Sequence, residues 1–255
     1  YSTRFTELVG ETKQSQKVFI HQVSPLLYRW LATNQFKELN WMSWGADLYN
    51  LTGIENQFYE PLSLAYVKTD WNFSEILYKV KVALTAQQFK NEALDKVDNV
   101  LTWMDGEFLF AKEKLHLQKA SHKFFFYENP IPYHQLRLSA EPKRDQGLPV
   151  FIVGNSGSKS NNHLDVINFL NLHSICAKLI MPVSYGDKKY ISFLKKKSSL
   201  YLGGPIEFFE NFMSFDEYAR LLQSADGLIM NTLRPQGYGN IFIMICMGVH
   251  PTANI

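Results

Sequence analysis

Residues 149–163 read PVFIVGNSGSKSNNH, a short apolar run followed at once by a polar turn that contains glycine. Residues 234–249 read RPQGYGNIFIMICMGV, a second glycine-bearing turn that leads directly into an apolar run. Glycine allows a ligand to approach the backbone closely, and the N–H groups at a helix start attract anions. Two such turns in one α/β unit predict a site that binds a diphosphate between them.

Strand-like and helix-like segments alternate throughout the second half of the chain. The predicted strands lie at 150–153, 178–182, 200–202, 226–230 and 250–253, and the predicted helices at 161–172, 188–196, 214–223 and 240–247. This alternation predicts a parallel sheet with right-handed crossovers. Ligands of such sheets bind at the carboxyl ends of the strands, where both glycine turns are expected.

The first half carries a similar but less regular pattern. Its predicted strands lie at 17–20, 39–44, 100–103 and 122–127, with a helix beginning at Pro25 and longer helices at about 56–67 and 73–97. A polar segment containing Pro and Gly, SAEPKRDQG, follows at 139–147. It predicts an amino-terminal domain at 1–140, a linker at 141–148 and a carboxy-terminal domain at 149–255. The small number of strands before it, and the bare strand after it, indicate a chain that is incomplete at both ends.

Composition excludes several classes of protein. The chain is 46% hydrophobic and 20% charged, as in ordinary globular proteins, and its net charge of +2 is too small to indicate a nucleic-acid partner. Two cysteines favour a reducing compartment over a disulfide scaffold. The most apolar run, at 241–249, is far shorter than the roughly 20 residues that span a bilayer, so any membrane contact is expected at the surface.

In the first glycine turn (154–163), backbone, amide and hydroxyl groups are available to an anion. Gly154 would let a phosphate approach, and Ser160 or Asn161 would cap the following helix. His163 would either face the ligand or lie at the surface. An ordinary Gly/Ser turn explains the same residues. The candidate ligand-binding residues here are Gly154, Asn155, Ser156, Gly157, Asn161 and His163.

In the second glycine turn (234–240), Arg234 could pair with phosphate oxygens through its fork of donors. Gln236 could hydrogen-bond to the ligand, Gly237 and Gly239 would expose the backbone, and Asn240 would cap the apolar helix. The alternative is a glycine-rich loop with an exposed arginine.

Two residues of the first half, His21 and Asp47, follow strand-like segments and are candidate general bases. From these residues alone, a helix cap at Asp47 and a structural role for His21 are the favoured explanation. Asp105 and Glu107 form a third carboxylate group, for which a helix cap is the simpler interpretation. The sequence has no DxD, HExxH or CxxC motif, and we therefore expect chemistry that needs no metal.

Several of these segments together resemble glycosyltransferase family 56. The similar stretches are GNSGSKSNNHLDVINFL at 154–170, LIMPVSYG at 179–186, FMSFDEYARLLQSAD at 212–226, RPQGYGNIFIMICMGVHP at 234–251, and FIHQVSPLLYRWL and WMSWGADLYNL at 19–31 and 41–51. The resemblance covers most of the chain and is weaker around 52–98.

The resemblance implies a GT-B architecture, in which two Rossmann-like domains with parallel sheets face each other across a cleft. It implies transfer of a 4-acetamido-4,6-dideoxy sugar from a TDP donor to an undecaprenyl-diphosphate-linked saccharide. This reaction would take place peripherally at the cytoplasmic face of a bacterial inner membrane. Gly154, Asn155, Ser156, Arg234, Gln236, Gly237 and Gly239 would then lie in the donor site, and His21 and Asp47 on the acceptor side.

The chain departs from the family pattern at Pro235 and Tyr238 and is shorter at both ends, so donor and acceptor could differ. A nucleotide-sugar epimerase of the same architecture is one alternative, although the two turns lack the carboxylates it would need. A non-catalytic sugar-nucleotide-binding module is the other.

Overall fold

The protein is described from a computed structural model, which covers residues 17–51, 54–70, 73–125, 147–248 and 250–253. These residues form two compact α/β units. The first contains the described residues of Tyr1–Glu55 and Trp71–Glu128, and the second those of Asn56–Asp70 and Asn129–Ile255. Most of the predicted linker lies outside the described residues, and the predicted domain limits stay a prediction.

The first unit contains a parallel sheet of four strands in the order β1-β2-β3-β4. The strands are β1 (Val18–His21), β2 (Leu39–Met42), β3 (Asn99–Thr102) and β4 (Ser121–Phe124). Its helices are α1 (Pro25–Thr33), α2 (Ala46–Leu51), α4 (Phe73–Thr85), α5 (Lys90–Asp95) and α6 (Asp105–Lys114). Every residue of β2 and β3 is buried, as expected for central strands of a parallel sheet.

The second unit contains a parallel sheet of five strands in the order β7-β6-β5-β8-β9. The strands are β5 (Val150–Val153), β6 (Lys178–Pro182), β7 (Ile206–Phe209), β8 (Gly227–Met230) and β9 (His250–Ala253). Its helices are α3 (Pro61–Thr69), α7 (His163–Leu172), α8 (Lys188–Lys197), α9 (Phe215–Gln223) and α10 (Tyr238–Cys246). The predicted mixed α/β class with two parallel sheets is confirmed.

Alternation along the strands of the second unit produces a core on each face of the sheet. Val153 and Ile229 lie in a cluster with α7, whereas Ile152 and Leu228 lie in a cluster with α9 and α10. Neighbouring residues of a strand point to opposite faces, so each apolar strand contributes to both cores. The sheet is therefore covered by helices on both sides, and ligands can reach it at the strand ends.

One strand prediction is wrong, since 200–202 contains no strand and β7 begins at Ile206. The segment Ser198–Leu200 is a 3-10 turn, and the Tyr201 hydroxyl accepts a hydrogen bond from Ala177 N at 3.1 Å. This contact fixes the chain before it enters the sheet. The long helix predicted at 73–97 is also divided, because a 3-10 turn at Gln87–Phe89 separates α4 from α5.

Helix α3 lies between β2 and β3 in sequence but packs in the second unit. The Asp165 carboxylate in the first turn of α7 accepts hydrogen bonds from Leu62 N at 2.8 Å and Ser63 N at 3.0 Å. The Asn162 side chain accepts another from Glu60 N at 3.0 Å. These side chains satisfy the amides at the start of α3, which have no acceptor within the helix.

Candidate functional site

The two glycine turns meet at one point of the second sheet. The chain runs from β5 to β6 and β7 on one side and then returns to the other side of β5 at β8. The loops that follow β5 and β8 are therefore adjacent and diverge from each other. In open parallel sheets this reversal of strand order is where ligands bind.

Side chains of the two turns are joined directly by hydrogen bonds. Ser160 Oγ donates to Gln236 Oε1 at 2.6 Å, and Gln236 Nε2 donates to Asn155 Oδ1 at 3.0 Å. The Arg234 guanidinium donates to Ser160 Oγ at 3.3 Å. The structure thus brings together four polar residues that sequence analysis placed at the same edge from strand order alone.

Glycine is required at two positions of the first turn. Gly154 has a φ of 71°, and a Cβ there would lie 2.9 Å from the Asn161 side chain and from His163 Nε2. A Cβ on Gly157 would lie 2.4 Å from the Ile191 side chain. Gly157 is therefore explained by close packing against α8, and its part in donor binding stays a prediction.

The start of α7 differs from the prediction. Residues Lys159–Asn161 form a 3-10 turn, and Asn162, with a φ of 51°, precedes the first helical residue. Asn161 is fully buried and donates to Ser156 O at 3.0 Å, so it organises the turn and does not cap the helix. Asn162 donates to Asn231 O at 2.8 Å, which ties the first turn to the chain after β8.

His163 is fully buried beneath the first turn, so the alternative that it lies at the surface is wrong. Its Nδ1 is 3.4 Å from the Tyr190 hydroxyl, and its Nε2 has no hydrogen-bond partner among the described residues. Burial lowers the pKa of His163 to about 4, so the imidazole is neutral near pH 7. His163 could therefore contribute to donor binding only indirectly, by supporting the first glycine turn.

The second turn leads into α10, which begins at Tyr238 after Gly237. The first N–H groups of a helix have no acceptor within it and carry a partial positive charge. Asn240, expected to cap α10, instead lies inside the helix and donates from Nδ2 to the Tyr218 hydroxyl at 2.8 Å. Arg234 and the start of α10 with Gly239 are therefore the groups best suited to bind an anion.

In the first unit, Trp44 connects the two candidate bases. The Trp44 ring stacks on His21 with centroids 5.9 Å apart, and the Trp44 backbone N–H donates to Asp47 Oδ1 at 3.0 Å. Asp47 Oδ2 accepts from Trp41 Nε1 at 2.7 Å. Both Asp47 oxygens are thus engaged locally, whereas the His21 side chain is exposed.

A further carboxylate, Glu107, lies near Asp47, and its burial was not expected from its sequence position, which favours a helix cap. Glu107 is buried, and its burial raises its pKa, although a hydrogen bond from the Tyr49 hydroxyl at 3.3 Å partly opposes the shift. Buried carboxyl groups with raised pKa values are common at catalytic sites. No sequence motif distinguishes Glu107 from an ordinary acidic residue in the first turn of a helix.

Sequence analysis missed an ion-pair network beside the first turn. Lys159 Nζ lies 2.5 Å from Asp70 and 2.9 Å from Asp187, and Asp70 also pairs with Lys189 at 3.2 Å. The only available signal was the lysine within a glycine turn, since Asp70 is far away in sequence. The network fixes the backbone of the turn and leaves Lys159 engaged with carboxylates.

A pocket of about 410 Å³ lies between α3, α7 and α8, with Leu62, Ile167 and Phe193 among its lining residues. None of the predicted donor-binding residues lines it. Within the described ranges, no helix is long and apolar enough to cross a membrane, and no group of three or more His, Cys, Asp or Glu could hold a metal ion.

Two parallel α/β units of Rossmann type, with polar glycine turns meeting where strand order reverses, are consistent with the GT-B-like class of glycosyltransferases. Residues 78–253 match the family model described as 4-alpha-L-fucosyltransferase, glycosyl transferase group 56. This match spans more than half of the chain, and the protein belongs to that glycosyltransferase family. Such enzymes use a nucleotide-sugar donor and a saccharide acceptor. His21 and Asp47 lie outside the matched residues.

Proposed function

We propose that the protein transfers a deoxyamino sugar, of the 4-acetamido-4,6-dideoxy type, from a TDP donor to an undecaprenyl-diphosphate-linked saccharide. The reaction would be part of bacterial surface-polysaccharide synthesis. The acceptor is lipid-linked, so we further propose peripheral association with the cytoplasmic face of the inner membrane. The observation that supports donor binding most directly is the hydrogen-bonded junction of the two glycine turns at the switch point of the second sheet.

We expect the donor diphosphate to be bound by Arg234 and by the N–H groups at the start of α10. A guanidinium forms two parallel hydrogen bonds with phosphate oxygens, and the N–H groups of a helix start add donors of fixed direction. The Arg234 side chain is already oriented by its contact with Ser160. Little ordering is then needed when the donor binds, and this favours affinity.

In the proposed reaction, the acceptor hydroxyl attacks the anomeric carbon of the donor sugar. The bond between that carbon and the diphosphate oxygen breaks, and the nucleoside diphosphate leaves with the bonding electrons. The positive groups around the diphosphate stabilise the charge that develops on this leaving group. No metal is required for this step, and metal independence remains part of the proposal.

The acceptor hydroxyl must lose its proton during an inverting reaction. His21 and Asp47 are the proposed bases, and the exposure of His21 favours it over Asp47, whose oxygens accept two local hydrogen bonds. Asp47 would then act by holding Trp44, and through it the His21 ring.

The test of donor binding is a thermal-unfolding screen with TDP-, UDP- and GDP-sugars. A ligand at 100 times its dissociation constant adds about 2.7 kcal/mol to the free energy of unfolding. We expect the TDP-sugar to raise the unfolding temperature most. No shift with any nucleotide-sugar would contradict the proposed donor site.

The test of transfer is release of nucleoside diphosphate when a lipid-linked saccharide is added to protein and donor. A transferase releases TDP only when both substrates are present. A binding module would release none, and an epimerase would convert the donor sugar without any acceptor.

A further inference from the structure

Two exposed aromatic residues, Tyr185 and Phe212, lie beside the glycine turns. Tyr185 follows β6 and Phe212 follows β7, so both lie beyond the carboxyl ends of strands in the sheet that carries the turns. Their rings are nearly parallel, with centroids 6.4 Å apart and an interplanar angle of 14°. Tyr185 is 52% exposed and Phe212 is 81% exposed.

Tyr185 is fixed to the first glycine turn by backbone and side-chain hydrogen bonds. Gly157 N donates to Tyr185 O at 2.8 Å, and Asn155 Nδ2 donates to the Tyr185 hydroxyl at 3.1 Å. The same Asn155 side chain accepts from Gln236 of the second turn. One amide therefore connects the exposed ring pair with the junction where the diphosphate is proposed to bind.

We propose that Tyr185 and Phe212 bind the nucleobase of the donor by stacking. This inference rests on the proposed function, because it places the base of the same nucleotide whose diphosphate lies at Arg234. Of the four parts of a nucleotide-sugar, only the base is flat and aromatic, whereas the pentose, the diphosphate and the transferred sugar are polar. A large exposed aromatic surface at the ligand-binding edge matches the base alone.

Stacking accepts any base, because every base has an aromatic face. The ring pair therefore contributes affinity for the nucleotide without selecting thymine over uracil. TDP and UDP should depend on Phe212 to a similar extent, and inorganic pyrophosphate should not depend on it at all.

The experiment compares TDP, UDP and pyrophosphate binding to the wild type and to variants at Phe212, Leu202 and Arg234. Calorimetry measures the nucleotides, and displacement of TDP measures pyrophosphate. We expect Phe212→Ala to weaken TDP and UDP by about 5- to 150-fold and to leave pyrophosphate affinity unchanged. Phe212→Trp should bind TDP about as well as the wild type, and its added indole fluorescence should be quenched by TDP. Leu202→Ala is the matched control, since Leu202 is 85% exposed and precedes β7, away from the carboxyl ends of the strands where the glycine turns lie.

The results distinguish failure of the stacking site from failure of the proposed donor site. Unchanged TDP affinity in Phe212→Ala, with a loss in Arg234→Ala, would overturn the stacking site and leave the donor site intact. An equal loss of TDP and pyrophosphate would also overturn it, since Phe212 would then act on the diphosphate. If the wild type bound neither TDP nor UDP, the proposed function would fail and the stacking site with it. Phe212→Leu serves as a second variant if Phe212→Ala unfolds.

Discussion

Lys159 Nζ lies 2.5 Å from Asp70 Oδ2, and this ion pair joins residues that are 89 positions apart in sequence. The Asp70 side chain is only 9% exposed, and Lys159 also pairs with Asp187. Asp70 directly follows α3, so the pair fixes the end of that helix to the first glycine turn. A helix from the sequence of the first half thereby helps to hold the proposed donor site.

Asp70→Asn should lower the free energy of unfolding at pH 7 by about 1–3 kcal/mol, because it leaves Lys159 without one of its two carboxylates. Its hydrogen bond with Lys159 holds the pKa of Asp70 below its usual range. The stabilisation is therefore present above the unfolded pKa of about 3.9 and is lost as the pH falls through the lower folded value. Urea denaturation at pH 7 and pH 3 should show the difference between wild type and variant shrinking. Glu207→Gln, which removes an exposed partner of Lys178, should cost no more than about 1 kcal/mol and is the control.

Gly154→Ala should destabilise the second unit by about 1–3 kcal/mol, because alanine at a φ of 71° is strained and its Cβ would collide with Asn161 and His163. The same change should weaken TDP binding, since Asn161 organises the turn. Gly106→Ala is the matched control, because a Cβ there meets nothing within 4 Å and alanine favours helix α6. Equal stability of the two variants in thermal denaturation would contradict the steric argument.

Arg234→Ala should weaken TDP binding by about 1.5–3 kcal/mol, which is roughly a 10- to 150-fold higher dissociation constant. Arg234→Lys keeps the charge but loses the fork of donors, so we expect an intermediate loss. Arg220→Ala removes the same charge from an exposed position of α9 and should bind normally. Calorimetry that found wild-type affinity in Arg234→Ala would remove this residue from the donor site.

Acid should destabilise the protein through His163 between about pH 6.5 and pH 4. Burial lowers the pKa of His163 to about 4, below the usual 6.5, so the unfolded state binds more protons in this range. The contribution of His163 to the free energy of unfolding is therefore greatest above pH 6.5. It decreases as the pH falls, by an amount on the order of 3 kcal/mol at pH 4. His163→Gln should reduce the slope of unfolding free energy against pH in this window. An unchanged slope would show that His163 is not the group that titrates.

His21→Ala and Asp47→Asn should both reduce turnover and leave TDP affinity near that of the wild type. We expect the larger effect from His21→Ala, because the His21 ring is exposed while both Asp47 oxygens accept local hydrogen bonds. Asp47→Asn should also lower stability, by about 1–2 kcal/mol, because it removes the charge from those bonds. Asp95→Asn, at an exposed position of α5, is the control. Full activity in both variants would place the base elsewhere, with Glu107 as the next candidate.

The parallel sheets could be predicted from sequence because each strand is a short apolar run between polar turns. The bounds of β5, β6 and β9 agree with the prediction. The junction of the two glycine turns also followed from strand order. Local patterns failed where a tertiary contact decides the conformation, as at Tyr201 before β7 and at Asn162 before α7. The Lys159–Asp70 pair could not be predicted, because no local pattern brings those two residues together.

The position of α3 in the second unit limits where the chain can be truncated and sets the order in which its parts can fold during synthesis. Among the described residues, those from 56 to 70 belong to the second unit, although the chain before and after them belongs to the first. A fragment that began at residue 149 would contain all five strands of the second sheet but would lack α3, whose Tyr66 packs on Phe193 and whose first amides donate to Asp165. During synthesis, α3 leaves the ribosome well before α7, so α3 cannot pack in its native position until α7 has been synthesised. Exchange of carboxy-terminal halves between relatives would therefore have to carry residues 56–70 along with the second unit.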